Sequence, residues 1–157
     1  EAGLSLMHSN SLFSVSMLMG LPSSFLLPWL AQRFNNRYML LVGCGLLSSV
    51  SLAMITFQPT VMPELWAVTL GFGLGGSFTL SLVLPLYEAS SPMAVSRWTA
   101  MMLCMGYSIG CFTPVLTGLA RDLAGSYQLP FMVLTGLAVL MTLLAWIMRY
   151  EPKRTSR

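Results

Sequence analysis

The charges of this 157-residue chain are confined to the ends of long apolar runs, and that confinement restricts its fold more than any motif it carries. Five runs, at about residues 4–30, 38–57, 65–86, 98–120 and 129–148, contain no Asp, Glu, Lys or Arg. Each holds roughly the 20 residues needed to cross a hydrocarbon core about 30 Å thick at about 1.5 Å per residue. Lipid offers no partner to backbone N–H and C=O groups, so a continuous run of this length crosses as an α-helix with its hydrogen bonds inside the segment. The sequence predicts an all-α fold, a polytopic membrane helix bundle of five transmembrane helices. Composition agrees: only 8% of residues are charged, against about a quarter in a soluble domain.

The basic residues set an orientation. With five spans the two ends lie on opposite sides of the membrane. Arg33, Arg37, Arg97, Arg149, Lys153, Arg154 and Arg157 fall on one side and Arg121 alone on the other. The positive-inside rule then places the C-terminus in the cytoplasm and Glu1 outside, in a bacterial plasma (inner) membrane. The net charge of +3 is a topology signal. No basic face interleaves with aromatics, so the chain is not read as a nucleic-acid binder. The first run lacks the basic start and small-residue cleavage site of a leader, and a start at Glu1 points to a piece of something longer.

The connections "AQRFNNR", "QPTVMPE", "YEASSPMAVSR" and "RDLAGSYQ" are short, which predicts antiparallel neighbours in one bundle. Pro22, Pro28, Pro85 and Pro114 fall within or near the ends of spans, where a missing N–H tends to kink a helix. Cys44, Cys104 and Cys111 lie inside spans with no C-x-x-C or His partner, and read as free thiols rather than a metal or redox site. No cofactor is predicted. An integral-membrane enzyme would need clustered His, Asp or Glu within the spans, and the sequence has none.

One motif invites a false reading. "GFGLGG", Gly71 to Gly76, matches G-x-G-x-x-G, yet it sits inside an apolar run, with no strand before it. The nearest following acid, Glu88, comes 12 residues after Gly76 rather than about 20. Gly71, Gly73, Gly75 and Gly76 are instead read as helix-packing positions that let another backbone come close. A second stripe, Gly106, Gly110, Pro114 and Gly118, recurs every four residues along one face of the fourth span and is likewise read as helix-packing, a tight pair or a surface that slides.

These same residues carry a resemblance. Gly75, Gly76 and Phe78 in a G-G-x-F ending, Gly106 and Tyr107 followed by Pro114, and the turn Gly125-Ser126-Tyr127 look like the C-terminal end of a major facilitator superfamily transporter, in the cyanate and 2-nitroimidazole transporter branch. The loop "PWLAQRFNNR" is similar to the superfamily's G-x-L-A-D-R-x-G-R-R loop, with Arg33 and Arg37 at its basic positions. Pro28, Gln32 and Asn35 depart from that pattern, and Thr79, Glu88 and Leu103 depart from the branch. The resemblance implies that the spans are helices eight to twelve of a twelve-helix transporter, residues 1–157 forming part of its C-terminal half. It makes the first, third and fourth spans cavity-facing and turns the second and fifth towards lipid. Such transporters bind solute at the midplane between two halves that rock about it.

Candidate solute-binding residues follow from that implication: Tyr107, which pairs an aromatic face with a hydroxyl, then Thr79, Ser77, His8 and Asn10. His8 is the one group of near-neutral pKa in or near a span, which makes it a proton-coupling candidate or a wetted end residue. Met101, Met102 and Met105 read as an adaptable lining or as gap-fillers. The function this implies is part of a secondary active transporter for a small polar or anionic solute, inactive alone. Its partners would be the bilayer, the missing N-terminal half and the solute. A structural or accessory membrane subunit without transport is the alternative that composition leaves open.

Overall fold

The computed structural model describes residues 6–34, 37–58 and 61–150. Helices α1 (Leu6–Phe34), α2 (Arg37–Phe57), α3 (Pro63–Glu88), α4 (Pro92–Ala124) and α5 (Gln128–Tyr150) make up almost all of them. Among the described residues all five are long and apolar enough to cross a membrane. The fold is an all-α membrane bundle, as the charge pattern predicts.

The helices overrun the apolar runs, most of all in α4, which begins six residues before the expected start at Trp98. The cause is local. Ser91 adopts an extended backbone and its hydroxyl accepts from the Ala94 N–H at 3.2 Å, with Pro92 in the first turn, where its missing N–H costs nothing. At the other end Gly125 takes a left-handed φ of 69°, and its N–H closes on the Arg121 carbonyl at 2.8 Å. Polar residues expected in loops therefore extend the helices past the hydrocarbon, since capped backbone continues its own hydrogen bonding into the interface. All four prolines lie inside the helices.

Chain neighbours are not always the packing neighbours. α3 seats against both α1 and α2, α2 seats against α5, and α1 meets α2 at only a few points. A short connection fixes direction but does not oblige two helices to touch. Here α3 supplies the closer surface because its glycines lack a Cβ. A Cβ at Gly71 would strike the Ser16 backbone of α1, and one at Gly75 would lie 2.8 Å from the Gly20 Cα and carbonyl oxygen. At Gly73 it would lie 3.0 Å from the Cys44 carbonyl of α2. Gly76 sits where three helices meet, between the Leu27 side chain and the Cys44 thiol. Leu27, Ala31, Cys44 and Leu80 form the buried core around that point, with Leu40, Leu41 and Phe72 packed against it.

Hydroxyl pairs tie α2 to its other neighbours. Ser51 and Thr69 share a hydrogen bond of 2.7 Å with α3, and Ser49 and Thr142 one of 3.2 Å with α5. Each hydroxyl also reaches the carbonyl four residues earlier: Leu47 for Ser51, Leu65 for Thr69, Gly45 for Ser49 and Ala138 for Thr142. A hydroxyl has one proton, so in each pair one proton serves the backbone and the other crosses between helices. The resemblance turns this helix towards lipid, yet Ser48, Ser49 and Ser51 are buried.

α4 stands apart. It borders α3 and α5 at a few points, and none of its residues is buried. Beyond their own stretch of helix backbone, Gly106, Gly110 and Gly118 have no described heavy atom within 4 Å of where a Cβ would stand.

Candidate functional site

α3 presents different chemistry on its opposite faces. Ser77 and Thr79 are two positions apart, about 200° around the helix, so they do not converge. The Thr79 hydroxyl donates to the Gly75 carbonyl at 2.9 Å. The Ser77 hydroxyl, by contrast, is buried without a hydrogen-bond partner. So is the indole N–H of Trp66, which lies eleven residues earlier, three turns along the same face. An orphaned buried polar group costs about 1–3 kcal/mol. Both atoms are closed off from solvent, so a partner reaches them only when neighbouring helices move. Trp66 was not legible as a candidate: a tryptophan near a span's end reads as an interfacial anchor, and only its register with Ser77 marks it.

The other candidates are not enclosed with Ser77. Tyr107 is 69% exposed on α4, alongside Met101, Met102 and Met105. Asn10 is exposed on α1, with its backbone carbonyl accepting from Ser14 at 2.9 Å. His8 falls within α1, but its side chain lies outside the described residues. Thr113 on α4 bonds back to the Ile109 carbonyl, as most membrane-helix hydroxyls do. Among the described residues no group of three or more His, Cys, Asp or Glu could hold a metal ion.

Four of the five described arginines sit near helix ends over aromatic rings. The Arg37 guanidinium lies 3.3 Å from the centroid of Tyr87, joining the start of α2 to the end of α3. Beside it the Tyr38 hydroxyl donates to Glu88 Oε1 at 3.1 Å. Arg33 stands 5.7 Å from the Trp29 ring, Arg121 4.9 Å from Tyr127 and Arg149 5.4 Å from Trp146. Cations stacked on interfacial aromatics anchor the ends of spans, because the ring and stem stay apolar while the charge reaches water.

Comparison with known proteins bears on what such a bundle belongs to. The chain is 31% identical over 127 residues to the cyanate transport protein CynX of Escherichia coli, a match covering 81% of this chain and 33% of that protein. It is 25% identical over 143 residues to the 2-nitroimidazole transporter of Escherichia coli, covering 91% of this chain and 35% of that one. An uncharacterized transporter of Bacillus subtilis, YycB, is 26% identical over 137 residues, covering 82% and 32%. The chain is similar to these transporters along most of its own length. They are of the major facilitator type, the branch that the glycine, Tyr107 and Pro114 positions resemble. This chain spans about a third of the length of the curated relatives it matches. No family model matches the sequence, and no solved structure matches it.

Proposed function

We propose that this chain is part of a secondary active transporter that moves a small polar or anionic solute by alternating access. Similarity across 81% of the chain to a cyanate transport protein carries the reading. The five helices then correspond to helices eight to twelve, with the C-terminus in the cytoplasm of a bacterial inner membrane, as seven of the eight basic residues favour. The unburied surface of α4, with Tyr107 exposed on it, meets the remaining two thirds of the transporter, and the solute passes between them. Ser77 and Trp66, each buried without a partner, are the groups of α3 that hydrogen-bond the solute or its accompanying water once alternating access moves the neighbouring helices apart. The chain alone supplies one wall of the cavity and does not transport.

Uptake of labelled cyanate or 2-nitroimidazole into vesicles tests this, comparing the full reading frame that contains this chain with empty vesicles. Accumulation of either supports the assignment. No signal above empty vesicles for both removes the solute class, and no solute movement of any kind would favour a structural subunit.

A further inference from the structure

A groove of about 490 Å³ runs between α1, α2 and α3, away from the Trp66 and Ser77 face. Leu27, Met39, Leu40, Gly43, Leu47 and Phe72 line it, with the Cys44 thiol at its floor, and its walls carry almost no polar surface. It exists because α1 and α2 barely touch, each resting on α3 instead, and because Gly43 leaves open space where a side chain would stand. The groove starts at Met39 and Leu40, in the helical turn that Arg37 opens, and reaches Leu47. At about 1.5 Å per residue that is about 12 Å, from the membrane edge toward its middle.

Its end nearest the membrane surface is charged. Arg33 and Arg37 flank the connection from α1 to α2, and the Nε of Arg37 is buried with no acceptor. The Glu88 carboxylate at this end accepts from Tyr38, and Arg37 lies on the Tyr87 ring. Trp29, half-exposed beside Arg33, adds an interfacial aromatic at the same level. An apolar slot whose outer end lies within a helical turn of Arg37, beside the connection that Arg33 also flanks, matches a molecule with one acidic head and a hydrocarbon tail. The bilayer surrounding five spans is the available source of such molecules.

We infer that this groove binds one anionic phospholipid, its acyl chain lying along Gly43 and Phe72 and its phosphate facing Arg37 and Arg33. A zwitterionic lipid offers the same tail, but its own cation offsets the phosphate, so the two arginines select for net negative charge. The occupied groove would brace α1 against α2, which otherwise meet at only a few points.

Native mass spectrometry of the chain extracted from membranes of equal phosphatidylglycerol and phosphatidylcholine tests this. The expected result is one retained lipid per chain, enriched at least about fivefold in phosphatidylglycerol, as one favourable interfacial charge contact provides. Gly43→Phe has open space at its Cβ, fills the groove with its ring, and should abolish retention. Gly136→Phe on α5, with equally open space at its Cβ, should leave it intact. Arg33→Gln with Arg37→Gln should keep a retained lipid but remove the headgroup preference. Equal retention of both lipids by the unaltered chain overturns the inference, as does undiminished retention in Gly43→Phe. Far-UV circular dichroism of each variant separates loss of the site from loss of the fold.

Discussion

Replacing Gly75 with Ala tests whether glycine-mediated contact between α1 and α3 holds the bundle together. The new Cβ would stand 2.8 Å from the Cα and carbonyl oxygen of Gly20 and 2.6 Å from the Ser23 hydroxyl. Ser23 can turn, at the expense of its 2.9 Å bond to the Gly20 carbonyl, but the Gly20 atoms are backbone and move only with the helix. Ordinary contact lies near 3.5 Å, so α1 must retreat by about 0.7 Å. The same retreat draws Ser16 from Gly71 and Leu27 from Gly76, and a gap of about 0.5–1 Å forfeits a quarter to a half of each contact's attraction. Overpacking of this kind costs about 1–3 kcal/mol, and alanine's better helix propensity returns about 0.5–1 kcal/mol. The central values leave a net loss of about 1 kcal/mol, or about fivefold in the folding equilibrium. Unfolding by sodium dodecyl sulfate in mixed micelles, followed by far-UV circular dichroism, measures it. Gly106→Ala, with nothing within 4 Å, is the comparison and should be neutral or stabilising by up to about 1 kcal/mol. A Gly75→Ala variant as stable as the parent, or a Gly106→Ala variant equally damaged, refutes the argument.

A double-mutant cycle on Ser51→Ala and Thr69→Val should give a coupling of about 0.6 kcal/mol in the same assay, the usual worth of a hydrogen bond between membrane helices. Zero coupling would mean that both hydroxyls are content with their own helix carbonyls. In the detergent-solubilised chain N-ethylmaleimide should modify exposed Cys104 and Cys111 quickly while buried Cys44 resists, read as two mass adducts before a third. Three adducts forming at one rate would contradict the packing of α2. In the full-length transporter Tyr107→Phe should slow uptake by about five- to tenfold, the loss of one hydrogen bond, with membrane insertion unchanged. Unaltered kinetics would remove Tyr107 from the solute path.

Much of this protein is written locally. The five spans follow from runs without Asp, Glu, Lys or Arg, because insertion into lipid is decided residue by residue along about 20 positions. The packing partners are another matter. "GFGLGG" signals close approach, but nothing in it says that Gly71 and Gly75 meet α1 while Gly73 meets α2. The sites divide the same way. Ser77 and Thr79 look alike in sequence, yet the Thr79 hydroxyl bonds the Gly75 carbonyl of its own helix while the Ser77 hydroxyl is buried without a partner. Trp66 and the groove beside Gly43 are visible only when segments distant in sequence are assembled.

The sequence by itself determined that this chain crosses a bilayer five times, because solvation in lipid is a sum over adjacent residues. Only the tertiary structure decided that α3 lies between α1 and α2 and that α4 stands free of the core. Between helices already in lipid no hydrophobic force chooses partners, so the choice falls to surface shape across chain separations that no local pattern records.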